Sequence, residues 1–376
     1  MSFNILVLHS DRSTGIHFAQ SLQAAKKQGW GKDVTILGVC SHPIRMQLCK
    51  NDTTYIIGED DIDDIHALVK WIERKIDASI NLVYETKSAR YMLAISSLRD
   101  HIPVFLPPHS LIEMFEDKYK TYAHLNNRGL PVPETYLVSS PEDVENAFRK
   151  ITTSEVWVRN IYGQAGYGTF SSNSIEEVTT IIAKRNGWRH YTIAEKMPIG
   201  YKHSWRDQLS SSFFPGEMVT WIALYNQGEL VASQVRKRLY WEHSDLTSSG
   251  VTGYSGANMT VSRKDVHDLS DRIVRSFDWK PHGALGIDYV ADDKGDLKLT
   301  EIQASRFYTS TYPMALLGLN LPQLYIDVFR STKIAIGRVN PCPEGYIYIQ
   351  RFGSENVMVH RDRILSELKE GYKLSS

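Results

Sequence analysis

Apolar and polar positions along the first hundred residues follow two alternating periods. Asn4 to Leu8 is an apolar run that predicts a buried strand, and His9-Ser10-Asp11-Arg12-Ser13-Thr14-Gly15 behind it is turn chemistry. Ile16, Ala19, Leu22 and Gln23 fall near one face and predict a helix over Ile16 to Lys27. Val34 to Val39 predicts a second strand. Ile62 to Ile76 is an amphipathic helix, with Ile65, Leu68, Val69, Ile72 and Ile76 on one stripe. Ile80 to Tyr84, Ser88 to Leu98 and Pro103 to Leu106 predict a strand, a helix and a strand. Strands alternating with helices imply a parallel sheet covered on both faces, so residues 1–107 predict a Rossmann-like α/β unit. Its first turn holds one glycine, Gly15, where a dinucleotide fingerprint needs three, and no nucleotide is expected there.

Pro107-Pro108 punctuates the chain. A helix is expected from Leu111 to Arg128, stopped by Gly129, with Pro131 and Pro133 beyond it. The texture then changes. Val156 to Val158 and Tyr191 to Ala194 read as strands, separated by a glycine-rich loop, Gly163 to Gly168, and a helix near Ile175 to Ala183. After Gly200 come longer strands: Met218 to Leu224, Glu229 to Val235, Gly286 to Val290 and Leu297 to Ile302. Asn226-Gln227-Gly228 and Asp293-Lys294-Gly295 between such runs are hairpin signals. Val266 to Phe277 and Leu321 to Phe329 predict helices. This half reads as α+β with antiparallel sheet, without internal repeats.

Composition narrows the functional classes. The 376 residues suggest two or three domains, at roughly 150 residues each. With 42% hydrophobic and 23% charged residues the chain can bury a sizeable core, which excludes wholesale disorder. The 43 basic and 43 acidic residues cancel, leaving no surplus for bulk nucleic-acid binding. No apolar run approaches the ~20 residues of a membrane helix, and Met1 to Ser10 lacks the parts of a signal peptide. Cys40, Cys49 and Cys342 form no C-x-x-C pair, which suits a reducing compartment and offers no zinc site. A cytoplasmic location is expected.

Four features follow one another along the chain. The first is Glu116-Asp117-Lys118-Tyr119-Lys120-Thr121, followed by Gly129-Leu130-Pro131-Val132-Pro133; it offers a cation to an anionic ligand, or a solvated helix face. The second is Val156-Trp157-Val158-Arg159 with the loop Gly163 to Gly168. Without Cβ atoms such a loop can bring backbone N–H groups against a phosphate, and a plain hairpin turn would look the same. The third is Ile193 to Gly200, an apolar strand ending in Glu195 and a bend whose backbone could pair with a purine edge. The fourth is Gly286-Ile287-Asp288-Tyr289-Val290 and, after a hairpin, Leu299-Thr300-Glu301-Ile302-Gln303. Alternation puts Leu299, Glu301 and Gln303 on one face, with Asp288 opposite on the neighbouring strand. Two carboxylates and an amide oxygen are hard ligands suited to Mg²⁺, or partners in a network with Arg306. Between the last two features, Arg236 and Arg238 alternate on a strand and share a face, with Lys237 pointing away. Paired arginines can clamp a carboxylate and stabilise a transferring phosphoryl group.

In this order and spacing the four features resemble the ATP-grasp superfamily, in its carbamoyl-phosphate-synthetase-like and biotin-carboxylase-like branch, over about residues 110–330. The resemblance implies a Rossmann-like leader at 1–107, a linker helix at 108–133, a small lid subdomain at 134–194, a large subdomain with the metal site at 195–335 and an extension at 336–376. It implies an ADP-forming carboxylate–amine ligase that works through an acyl phosphate, with ATP and Mg²⁺ (or Mn²⁺) as cofactors. Asp288, Glu301 and Gln303 would hold metal. Lys118, Arg159, Gly163, Gly166 and Gly168 would hold phosphates, and Glu195, Lys196, Met197, Pro198 and His203 the nucleoside. Arg236, Arg238 and Arg306 would hold the acyl phosphate. The expected partners are a small carboxylate and an amine, with a homodimer admitted and neither nucleic acid nor membrane. The chain departs from the family pattern at four places. Arg159 stands for the family lysine, and Gln303 for its asparagine. Arg306 lies one residue beyond the position taken here by Ser305. Lys202-His203-Ser204 occupies the place of a ribose-binding carboxylate. A nucleotide-binding regulator without catalysis and an ATP-dependent phosphotransferase remain as alternatives.

Overall fold

The computed structural model describes residues 2–58, 62–86, 89–162, 168–185, 187–199, 203–241, 255–304, 306–349 and 358–367. At the N-terminus, β1 (Phe3–Val7), β2 (Val34–Cys40), β3 (Thr53–Ile56) and β4 (Leu82–Tyr84) pair in parallel in the order β3-β2-β1-β4. Alternation along β1 sorts its side chains. Ile5 and Val7 pack with Phe18, Ala19 and Leu22 of α1 (Ser13–Lys27). Leu6 and the following Leu8 pack with Ile65, Leu68, Val69 and Ile72 of α2 (Ile65–Ile76) and with Ile95 of α3 (Ala89–Ser96). Gly15 is required by close approach: a Cβ there would lie 2.8 Å from the Ser10 Cα.

The fourth strand is not the expected one. Residues 103–106 are not in a strand, and β3, which the apolar pattern does not signal, takes the edge of the sheet. Pro103, Pro107 and Pro108 lack the N–H groups a ladder needs. The side chain of Phe105 instead stacks on Tyr325, with ring centroids 4.6 Å apart. The long helix expected over 111–128 is also two helices, α4 (His109–Glu116) and α5 (Lys118–Asn126). Asp117 breaks it: its backbone is extended and its carboxylate accepts the Lys120 N–H at 2.9 Å, an N-cap stronger than helix continuation.

Next come β5 (Thr135–Val138), α6 (Pro141–Lys150), β6 (Val156–Asn160), β7 (Phe170–Ser172), α7 (Ile175–Lys184) and β8 (Tyr191–Glu195). Their strands form a small antiparallel sheet in the order β5-β8-β6-β7. Val144, Ala147, Val178 and Ile182 of the two helices cover one face.

The largest sheet holds β9 (Met218–Asn226), β10 (Glu229–Trp241), β11 (Ser255–Val261), β12 (Gly283–Ala291), β13 (Leu297–Ala304), β14 (Arg338–Val339), β15 (Tyr346–Ile349) and β16 (Met358–His360). Its path is β13-β12-β9-β10-β11-β15-β16, with β14 pairing β10. β10 runs six residues beyond its expected end at Val235, so Arg236, Lys237 and Arg238 lie inside a strand. α8 (Lys264–Arg275) buries Val266, Ile273 and Val274 against one face. α9 (Thr311–Leu316) and α10 (Leu321–Phe329) pack on α1 and join the leader to this sheet. Trp30 Nε1 donates to Asp327 at 2.8 Å and Asn320 Nδ2 to the Ser21 carbonyl at 2.7 Å across that seam.

β13 carries one residue more than its partner. Asp288 lies opposite Glu301, but Tyr289 lies opposite Leu299, so Thr300 is a bulge. The alternation that put Leu299 with Glu301 therefore fails. Leu299 turns to the other face and packs with Tyr289. No helix among the described residues is long and apolar enough to cross a membrane.

Candidate functional site

One face of the large sheet carries a cross-strand row of polar side chains. Register sets Asp288 against both Glu301 and Thr220, and Thr220 against Arg236. Arg238 Nη2 grips Asp288 through both carboxylate oxygens, at 2.6 and 2.7 Å, and its Nε donates to Thr220 Oγ1 at 2.9 Å. Thr220 Oγ1 in turn donates to Asp288 at 2.6 Å. Arg236, fully buried, donates from Nη1 to Asn258 Oδ1 at 3.0 Å and to Ser310 Oγ. Gln303 Nε2 donates to Glu301 at 3.1 Å. Lys237 does point away, into a different environment on the opposite face: Glu217 at 2.7 Å and the carbonyls of Asp207, Ser210 and Ser212.

Above this row, Arg159 of β6 ties three elements together. Its Nη1 donates to Tyr122 OH of α5 at 2.6 Å and its Nη2 to the Thr300 carbonyl at 3.3 Å. Tyr122 OH also donates to that carbonyl, at 2.6 Å, and the guanidinium stacks over Trp157 at 4.4 Å. Lys118 opens α5 beside it. Burial lowers the Lys118 pKa, opposed by Glu301 and reinforced by Arg159. Burial raises the carboxyl pKa of Glu116, which Arg306 counteracts. Glu116, Lys118, Arg159, Glu301 and Arg306 thus share one electrostatic neighbourhood. Arg306 reaches the leader and donates to the Thr86 carbonyl at 3.3 Å. Gly168 has φ +74°, open to glycine at little cost. Gly163 and Gly166 lie outside the described residues.

The nucleoside candidates stand at the end of β8. Glu195 accepts from Lys298 Nζ at 2.5 Å and from the Glu134 N–H at 3.1 Å, so its carboxylate is already engaged. Lys196 pairs with Glu155 at 2.9 Å. Met197 joins Trp157, Ala194, Met218 and Val290 in an apolar cluster between the small and large sheets. The Pro198 carbonyl packs against Gly216, where a Cβ would be 2.0 Å away. His203 Nε2 lies 2.6 Å from the Pro215 carbonyl, so that contact occupies one ring nitrogen.

Tyr308 sits at the centre of the site and was not among the sequence candidates. Its ring lies over Gly286, where a Cβ would come within 1.9 Å of it. Asp288, Glu301, Arg238 and Arg236 all act on its hydroxyl, and burial raises its pKa further than any of them. A glycine in mid-strand was the one available signal. The hard oxygens of Glu301 and Gln303 suit a divalent cation, whereas both oxygens of Asp288 are spent on Arg238. Among the described residues no group of three or more His, Cys, Asp or Glu side chains is assembled to hold a metal. The cation therefore fits with Glu301 as its principal carboxylate, and with Asp288 joining only if it shares itself with Arg238.

The sequence matches no protein-family model and no curated protein. Solved structures do match. N5-carboxyaminoimidazole ribonucleotide synthetase from Thermus thermophilus is 14% identical, with a TM-score of 0.66 over 96% of this chain and 95% of that one. N5-carboxyaminoimidazole synthetase from Staphylococcus aureus is 11% identical, with a TM-score of 0.65 over 93% of this chain and 83% of that one. The biotin carboxylase domain of Hydrogenobacter thermophilus 2-oxoglutarate carboxylase, solved with MgADP, ADP and bicarbonate, is 14% identical, with a TM-score of 0.66 over 93% and 74%. The likeness spans leader, small sheet and large sheet, and the chain has the ATP-grasp fold.

Proposed function

We propose that this chain is an ATP-dependent ligase that joins a carboxylate to an amine through an acyl phosphate, releasing ADP and phosphate. The observation that carries the reading is the row Arg236–Thr220–Asp288–Glu301 on one sheet face, with Arg238 closing on Asp288 and Lys118 and Arg159 above. Phosphoryl transfer asks mainly for positioning and charge neutralisation, and buried cations around a carboxylate pair supply both.

In this reading adenine takes the apolar slot of Met197, Met218 and Val290, and the backbone at Lys196 to Pro198 reads its edge. Glu195 holds the slot through Lys298 rather than touching the base. Lys118 and Arg159 brace the phosphates. Glu301 and Gln303 would hold Mg²⁺, which when bound supplies charge to the β- and γ-phosphates. A carboxylate oxygen of the substrate attacks the γ-phosphorus as the bond to the ADP oxygen breaks. Arg236 and Arg238, with Arg306 behind them, neutralise the acyl phosphate until an amine attacks its carbonyl carbon and phosphate leaves. Asp288 orients Arg238.

The test is product analysis with Mg-ATP over pools of carboxylates and amines, repeated with hydroxylamine in place of the amine. The ligase gives stoichiometric ADP and a hydroxamate. ADP without hydroxamate would instead mean phosphotransfer to a hydroxyl. Tight ATP binding with neither product would make the chain a nucleotide-binding regulator.

A further inference from the structure

Five polar atoms around the Arg236 guanidinium have no hydrogen-bond partner. They are Arg236 Nε, Asn258 Nδ2, His17 Nδ1, Tyr308 OH and Thr311 Oγ1, and every one belongs to a residue at least nine-tenths buried. They are neighbours in space. Asn258 accepts from Arg236 at 3.0 Å, and Tyr348 lies opposite Asn258 in the sheet register. The Tyr348 hydroxyl bonds with Arg236 and Ser310 and closes the cluster on that side. The Arg236 guanidinium lies 5.6 Å from the Tyr308 ring centroid and contacts Ser310, the residue before Thr311. His17 comes from α1 of the leader, close enough for Arg236 to act on it, with its ring edge-on to Tyr312 at 6.4 Å. The cluster therefore lies on the seam between leader and large sheet.

Buried polar groups in folded proteins are nearly always paired, because an unmade bond leaves the desolvation cost unrecovered. Five together mark a place where a ligand supplies the partners. Their chemistry restricts it. Arg236 is permanently charged, and no carboxylate among the described residues is within ion-pair distance of it. Asn258 has spent its oxygen on Arg236 and Ser255 and keeps only N–H donors. The Tyr308 phenol and the threonine can donate. The set wants an anion with several oxygens, more than the three of bicarbonate.

We infer that this seam holds the carboxylate substrate, and that this substrate is a small organic acid bearing further oxygen groups: a hydroxy acid, a keto acid or a dicarboxylate. The inference rests on the ligase reading and adds the leader, through His17, as a specificity element. Entry requires the seam to part or the side chains to rotate.

The experiment measures binding without turnover, on the full chain with Mg²⁺ and a non-hydrolysable ATP analogue. The probes are hydroxy, keto and dicarboxylic acids of two to six carbons (lactate, pyruvate, malate, succinate, citrate), with butyrate and bicarbonate as comparators. At least one oxygen-rich acid should raise Tm and bind tenfold or more tightly than butyrate or bicarbonate. His17→Leu and Thr311→Val should each weaken that acid tenfold or more and leave the affinity for the analogue unchanged. Thr311→Val keeps the side-chain shape, so it serves if His17→Leu fails to fold. The inference is overturned if no probe outbinds the comparators. It is equally overturned if the variants gain Tm and keep the acid's affinity, since the cluster would then be a structural defect. Selective acid binding without ADP release under any condition would sink the ligase and leave the seam. ADP formed from an acid whose KM both variants leave unchanged would sink the seam and leave the ligase.

Discussion

Arg236 and Lys237 are adjacent in one strand, both cationic and both buried, yet the two faces of the sheet treat them oppositely. Lys237 has three N–H donors and four oxygens around it, three carbonyls and Glu217. Its pKa is pulled down by burial and held up by Glu217, while burial raises that of Glu217 and Lys237 lowers it again. Arg236 has Asn258 and Ser310 on one nitrogen, a further bond with Tyr348, no carboxylate paired with it among the described residues, and nothing on Nε. A saturated buried charge is part of the scaffold, whereas in the proposed reading the unsaturated one awaits a ligand. The difference sorts the charged residues of this fold more sharply than burial does.

Lys237→Met should produce the largest effect, because it strands Glu217 and three carbonyls. Removing one partner of a buried ion pair costs about 3–5 kcal/mol. Denaturant unfolding should show that loss, with whatever activity survives having normal substrate affinities. Arg236→Met should behave in reverse, with stability nearly intact and carboxylate turnover gone. If the two variants lose stability equally, the contrast between the faces is wrong.

Glu301→Gln sharpens the same contrast on the polar face. The side chain is partly exposed and accepts from the Gln303 amide, so the isosteric replacement should fold normally. Turnover should drop on the order of 10²–10³-fold, the scale of losing one charge-stabilising group at a reacting centre. A variant with near-normal turnover would remove Glu301 from the metal set.

Much of the polar face was legible because a strand has period two. Asp288 against Glu301, and Arg236 with Arg238 against Lys237, follow from alternation and one hairpin. Thr300 was not legible: a bulge leaves no mark in the pattern, and it sent Leu299 to the wrong face. The Arg238–Asp288 pair was hidden because it spans β10 and β12, separated in the sheet by β9, and strand order is not written in either segment. His17, Asn258 and Thr311 each look ordinary beside their own neighbours. They become a cluster only when α1, β11 and α9 meet, which is long-range information. Asp117 could have been read as a cap, but a helix continuing through it fitted the periodicity equally well.

His17 tests whether the polar face reaches the leader. Burial, and next the Arg236 charge, lower its pKa from 6.5 to about 4. Above pH 6.5 the ring is neutral in both folded and unfolded chains. Between pH 6.5 and pH 4 only the unfolded chain takes the proton, so stability falls as the pH falls through this window. The loss approaches roughly 3 kcal/mol at its lower end. His17→Leu should flatten this part of the stability profile, measured as urea midpoints from pH 7.5 to pH 4. An unchanged acid limb would mean that His17 is not held neutral at the seam.

Arg159→Lys should give the smallest effect, and it asks how much of a cation's value is charge and how much is shape. The guanidinium meets Tyr122 OH and the Thr300 carbonyl with different nitrogens and lies over the Trp157 ring, 4.4 Å from its centroid. A lysine ammonium is a single point that can reach only one of those partners and cannot stack. The substitution should therefore cost about 1 kcal/mol of stability, the net worth of one hydrogen bond. Nucleotide affinity should change little, because the charge stays near the phosphates. Arg159→Met removes the charge as well and should weaken the nucleotide while matching the lysine variant in stability. Calorimetric Kd values and denaturation midpoints for the two variants separate the contributions. If lysine weakens the nucleotide as much as methionine does, the planar fork itself grips the phosphates, and Arg159 belongs with Arg236 rather than with Lys237.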